Sequence, residues 1–178
     1  ANLISGNTKG LEINRGSGNL VHGNRIGTDA AGSAALGNVR GVLFRNAVGN
    51  QIGGEPNVIS GNTREGVKIF GEASTANVVR GNRIGSNAAG DAAIPNREGV
   101  IINSGAAGNV IGGTTPDERN TISGNTVAGV FLLADGNTIT GNLIGTDING
   151  TAAIANNTGV LIRNVGDSTI GGEGEGEG

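Results

Sequence analysis

Apolar residues in this chain come in short alternating bursts, and the bursts recur. Six times it spells Gly-Val-x-Ile or a close variant, starting at Gly10, Gly41, Gly66, Gly99, Gly129 and Gly159, with spacings of 31, 25, 33, 30 and 30 residues. Within each burst the apolar residues stand two apart, which is the strand period. Between bursts lie Gly-Asn, Gly-Gly and short polar loops, where Gly and Asn let the chain turn because both tolerate positive φ. No i, i+3, i+4 stripe survives past these glycines, so helices are excluded. Three short strands per turn, repeating every 25 to 33 residues, predict an all-β parallel β-helix of about six coils.

The core follows from the alternation. The Gly-Val-x-Ile strand contributes Leu11 and Ile13, Val42 and Phe44, Val67 and Ile69, Val100 and Ile102, Val130 and Leu132, Val160 and Ile162. A second strand gives Val21, Ile52, Val79, Ile111, Ile139 and Ile170, and a third gives Ile4, Ile26, Ile59, Ile84, Ile122 and Ile144. Stacked like on like, each buried aliphatic stabilises by about 1.5–3 kcal/mol. Six coils at a strand spacing of about 4.8 Å make a rod roughly 25–30 Å long. Asparagine forms a further column, Asn19, Asn50, Asn77, Asn109 and Asn137, with Ser168 in sixth place. Side-chain amides stacked this way can bond one above another along a corner.

A longer period overlies the coil. The phrases NLISGN, NVISGN and NTISGN open three two-coil units at Asn2, Asn57 and Asn120. Residues 1–172 are therefore read as one β-helix domain, followed at 173–178 by a Gly/Glu tail expected to be disordered or appended.

Composition agrees with a thin core. The chain has 36 Gly, three Phe and no Cys, Met, Trp or Tyr. Gly-X-Y triplets do not persist, and the β-branched residues are too regular for disorder. Net charge is −3, and the tail supplies Glu173, Glu175 and Glu177; without it 12 acidic and 12 basic residues balance. That balance argues against nucleic acid or an anionic membrane as partner. No apolar run approaches the roughly 20 residues of a membrane-spanning helix, so no membrane insertion is expected. Disulfides and thiolate metal sites are excluded.

Gly-Val-x-Ile followed by Asn-x-Ile-x-Gly-Asn, over residues 2 to 172, resembles the right-handed parallel β-helix repeats of the pectate-lyase-like superfamily. The chain looks closest to the repeat arrays of large bacterial surface or secreted proteins. The resemblance implies right-handed coils and an extracellular or cell-surface, rod-like part of a larger polypeptide. It implies no activity, because the fold carries lyases, hydrolases, epimerases, tailspikes and passive stalks.

Enzymes of that class act on polysaccharide in a groove on one outward face, with clustered carboxylates for hydrolysis or for holding Ca²⁺ beside an Arg base. Here the outward position of Gly-Val-x-Ile reads Glu12, Leu43, Lys68, Ile101, Phe131 and Leu161, which is no carboxylate groove. The next outward column reads His22, Gly53, Arg80, Gly112 and Thr140. His22, the only histidine, has counterparts of unrelated chemistry and reads as a surface residue. Arg25 and Arg83 recur, but the third copy has Leu143. No catalytic residue and no cofactor is assigned. Two Asn-x-Thr sequons, at Asn149 and Asn156, matter only in a eukaryotic secretory host.

Each unit also carries an insertion: IGTDAAGSAALGN at 26–38, IGSNAAGDAAIPN at 84–96 and IGTDINGTAAIAN at 144–156. Asp29 and Asp147 are weak calcium candidates, but Asn87 breaks the charge in the middle copy and points to an Asx turn instead. The insertion tips, Ala34–Leu36, Ala92–Ile94 and Ala152–Ile154, are expected to fold over the outward aliphatics Leu43, Ile101 and Leu161. Otherwise Leu43, Ile101, Phe131 and Leu161 would form an open apolar interface. The chain starts at NLISGN and reaches TIGG at 169–172, whereas inside the array QIGG runs on into NVISGN. This predicts either flanking repeats of a longer array or copies stacked end to end. The expected role is a structural or assembly solenoid without catalysis, a rigid rod or end-to-end stacking module; the alternative is a carbohydrate-binding or polysaccharide-degrading β-helix, a lyase or hydrolase, with its active part outside this segment.

Overall fold

A computed structural model describes residues 1–172. The Gly/Glu tail lies outside the described residues. β1 (Leu3–Ile4), β2 (Lys9–Asn14) and β3 (Leu20–Val21) make the first coil, and β4 (Arg25–Ile26), β5 (Arg40–Arg45) and β6 (Gln51–Ile52) the second. The third holds β7 (Val58–Ile59), β8 (Val67–Phe70) and β9 (Val78–Val79), and the fourth β10 (Arg83–Ile84), β11 (Glu98–Asn103) and β12 (Val110–Gly112). The fifth holds β13 (Thr121–Ile122), β14 (Ala128–Leu133) and β15 (Thr138–Thr140), and the sixth β16 (Leu143–Ile144), β17 (Val160–Ile162) and β18 (Thr169–Ile170). Every third strand pairs in parallel, giving three six-stranded sheets. They are called here the first (β1 to β16), second (β2 to β17) and third (β3 to β18) sheets.

The register is the one the alternation predicts. In the second sheet Val42, Val67, Val100 and Val130 lie opposite one another in succession, as do Phe44, Ile69, Ile102 and Leu132. All eight are fully buried. In the first sheet Ile26, Ile59, Ile84 and Ile122 stack in the same way, and in the third Ile52, Val79, Ile111 and Ile139. Most strands of the first and third sheets are only two residues long. Such strands have no stability alone; the coils above and below hold them.

Three asparagine ladders run along the corners, where the sequence showed one. The expected column is present, with each Nδ2 from Asn19 to Asn109 donating to the next Oδ1 at 2.8–3.1 Å. A second ladder joins Asn2, Asn24, Asn57, Asn82, Asn120 and Asn142. A third joins Asn7, Asn38, Asn62, Asn96, Asn125 and Asn156. All three have one polarity: the amide N–H groups of each Asn, main chain and side chain, point to the Oδ1 of the next coil. The other Nδ2 hydrogen typically returns to a carbonyl one coil back, as from Asn77 to Ala47 and from Asn96 to Ile59. Uneven loops hid the extra ladders, since the rungs of the third lie 31, 24, 34, 29 and 31 residues apart.

The phrase NVISGN thus carries two rungs, Asn57 and Asn62, around the core residue Ile59. Its Ser60 seats the following insertion, donating Oγ–H to the Ser86 carbonyl at 2.7 Å and accepting from Gly85 N–H at 3.0 Å. Gly85 has φ +91°, and a Cβ there would overlap the Asn125 amide and the Ser123 carbonyl. Only glycine fits this corner.

Candidate functional site

The outward column of the second sheet is continuous, with Glu12, Leu43, Lys68, Ile101, Phe131 and Leu161 in register. Its aliphatics are covered, though not by the insertions as the sequence suggested. Leu43 is 2% exposed, in a groove lined by Arg40, Arg45, Lys68 and Phe70. Ile101 and Phe131, 7% and 9% exposed, pack with Ala128, Val127, Leu133 and Leu161. Around Leu43 long stems from neighbouring strands do the covering, as amphipathic side chains can. The Arg45 guanidinium lies 4.6 Å from the Phe70 ring centre and that of Arg163 5.4 Å from Phe131.

The insertions lie along the first sheet and stack on one another. Ala88 N–H donates to the Gly32 carbonyl at 2.8 Å, and Ile148 N–H to that of Gly90 at 3.0 Å. A Cβ on Gly32 or Gly90 would press on Arg25 or Arg83, the outward residues of the first sheet. Length and composition of these insertions are legible in the repeats, but a loop at a corner can lean over either adjoining face. Contact between successive insertions is what fixes the direction.

Asp29 and Asp147 each close a turn. Asp29 accepts from Ser33 N–H at 2.7 Å, Ser33 Oγ–H at 3.0 Å and Ala34 N–H at 3.2 Å. Asp147 repeats this with Thr151 and Ala152. Asn87 does the same through its Oδ1, accepting from Gly90, Asp91 and Ala92. The turn needs an acceptor oxygen rather than a charge, which explains the Asn in the middle copy. Hydrogen bonds from Ser33 and Thr151 N–H hold both carboxyls below the usual aspartate range. Among the described residues no group of three His, Cys, Asp or Glu is placed to hold a metal.

Two acids escaped the sequence reading. Glu65 and Glu98, each just before a Gly-Val phrase, are 3% and 5% exposed, and Gly66 N–H donates to the Glu98 carbonyl. They therefore stand on adjacent coils beside the apolar column. Arg40 at 3.0 Å, Lys68 at 3.6 Å and Arg64 at 3.7 Å surround Glu65, and Arg97 lies 3.3 Å from Glu98. The residue preceding each glycine, which runs Lys9, Arg40, Glu65, Glu98, Ala128 along the sheet, was the signal that could have found them. Glu12 is likewise paired, with Lys9 and, at 3.3 Å, Arg45; the Lys9 hydrogen bond lowers its pKa.

His22 contacts Glu55 at 3.4 Å on an open surface, and Arg80 pairs with Glu118 and Gln51. A groove of about 310 Å³ beside the first sheet includes Pro56, Arg83, Asp117, Thr121, Leu143 and Asn149. Burial lowers the pKa of Arg83, and its Nε–H has no hydrogen-bond partner among the described residues. No family model, no curated protein and no solved structure matches the chain. Its own geometry therefore places it, as a parallel β-solenoid.

Proposed function

We propose that this chain is a structural segment, a rigid rod within a secreted or cell-surface protein of the pectate-lyase-like type. The observation that carries the reading is the continuity of the three asparagine ladders, one at every corner. A ladder ties each coil to the next through side-chain amides as well as through backbone, so bending the axis breaks buried hydrogen bonds on one side. Chemistry on the outer faces points the same way, since Glu12, Glu65 and Glu98 are held by cations and Asp29 and Asp147 by their own turns. A glycan array with a lyase and hydrolase screen tests the proposal. A rod shows no turnover, and cleavage of any polysaccharide defeats the reading.

A second reading, carbohydrate binding without cleavage, is favoured by the groove beside Arg83. The side chains of Arg83, Thr121 and Asn149 along the groove offer hydrogen bonds to sugar hydroxyls or a uronate carboxylate, and Leu143 offers an apolar floor. Array binding that Arg83→Ala abolishes while the fold is retained would establish it; binding indifferent to that change would remove it.

A further inference from the structure

We propose that the groove over Leu43, on the outer face of the second sheet, binds a tetrahedral oxyanion, a sulfate or phosphate group. This site goes beyond the rod reading and stands or falls separately from it.

Cation excess is the first ground. Outside the tail the chain has 12 basic and 12 acidic residues. Yet five of the cations, Lys9, Arg40, Arg45, Arg64 and Lys68, gather here around two carboxylates, Glu12 and Glu65. Neither neutralisation nor cover demands so many. Glu98, about as buried as Glu65 and on the next coil, is paired among the described residues with Arg97 alone. Ile101 and Phe131 continue the outward column of Leu43 and pack with apolar neighbours instead. The surplus of positive charge over coils one to three is what a bound anion would balance.

Donor geometry is the second ground. Arg40 and Arg45 stand on β5 on either side of Leu43, and Lys68 lies opposite Leu43 on β8. Each arginine turns its Nε edge to a carboxylate: Arg40 Nε–H donates to Glu65 at 3.0 Å, and Arg45 Nε lies 3.3 Å from Glu12. The Nη groups of both make no hydrogen bond among the described residues. The Phe70 ring, 4.6 Å from the Arg45 guanidinium, holds that group in place. The Lys68 side chain is only 17% exposed, and its ammonium stands 3.6 Å from Glu65, beyond hydrogen-bond reach. Two guanidinium ends and one ammonium are thus positioned with donors to spare.

The third ground is shape. Arg40, Arg45, Lys68 and Phe70 line, with Leu43, a groove of about 230 Å³. Donors on three separate side chains match an acceptor that carries oxygens on three sides, which a tetrahedral oxyanion has and a planar carboxylate has not. Guanidinium ends bind such oxyanions through paired N–H groups, and an ammonium adds a point charge. The buried Leu43 keeps water from beneath the groove, which strengthens the attraction between the anion and its cations.

Titration with sodium sulfate and with inorganic phosphate at constant ionic strength, followed by amide chemical shifts, tests this. The expected result is saturable shifts confined to β5, β8 and their neighbours. Malonate, with its charge on two planar carboxylates, should bind about tenfold more weakly than sulfate. Lys68→Met keeps an apolar stem over Leu43 and should weaken sulfate binding about ten- to hundredfold with the β-type circular dichroism spectrum unchanged. Should that variant lose the spectrum, Arg45→Gln, at a more exposed position, gives the same reading. Arg97→Gln, on the next coil, should bind as the unaltered chain does. Methyl sulfate and methyl phosphate separate the sources. Saturation by these esters supports a group carried on a larger molecule, and saturation by the free ions alone supports a free anion. No saturation by any of them, malonate binding equal to sulfate, or full binding by a folded Lys68→Met or Arg45→Gln would each overturn the site.

Discussion

At the scale of the residue, asparagine does the work that side chains of other types do in a thicker core. Asn77 is fully buried; it accepts from both the N–H and the Nδ2 of Asn50, and donates to the Ala47 carbonyl and to Asn109. Asn77→Ala leaves the Asn50 N–H without an acceptor and should cost about 2–4 kcal/mol, read from denaturant midpoints. Asn77→Asp should cost more at neutral pH, because a carboxylate would face two oxygens. Its folded pKa would lie above the unfolded value, so the loss should shrink as pH falls. The insertion turns titrate in the opposite sense. Asp29 and Asp147 have lowered folded pKa values, so their contribution is full above about pH 4. It is lost as pH falls through the lower folded values. Protection of the Ser33 and Thr151 amides against exchange, relative to the intrinsic rate at each pH, should therefore fall in acid while that of Gly90, bonded to the non-titrating Asn87, changes little. Equal loosening of all three turns would rule out this account.

At the scale of the element, a strand here is a station on the coil and gains its stability from the strands stacked on it. Position along the axis should then decide what a core truncation costs. Ile102→Ala and Phe44→Ala remove fully buried side chains and should cost about 2–5 and 3–5 kcal/mol respectively. Ile162→Ala, in the same column as both, removes a half-exposed one and should cost much less. Thermal or denaturant unfolding of the three variants checks the order, and equal losses would contradict it. The core columns were legible in the sequence because a period of two tells inside from outside at every strand. The insertions were not, because that period stops at a corner. Leu43 and Ile101 showed a need for cover, but side chains of neighbouring strands supplied it, arginine and lysine stems over Leu43 and apolar neighbours over Ile101, and nothing in the spacing distinguishes these from a loop.

At the scale of the whole molecule, every coil touches only its neighbours, so stiffness, length and assembly are sums of one repeated contact. Among the described residues the thin aliphatic core fills the interior of the coil, so the groove at Arg83 lies on an outer face. On the outer faces Glu12, Glu65, Glu98 and Glu118 are paired with cations, and the groove at Arg83 exists because three elements converge. These are the Pro56 corner, the loop that holds Asp117, and the third insertion with Asn149. None of the three is close to another in sequence.

Sequence alone determined the parallel coil, its four core columns and one line of asparagines, since each is a short-range pattern repeated at nearly constant spacing. Tertiary structure decided the other two ladders, the side on which the insertions lie, and the partners of Glu65 and Glu98. Those depend on which groups of separate coils come within about 3 Å of one another, a distance that loops of unequal length conceal.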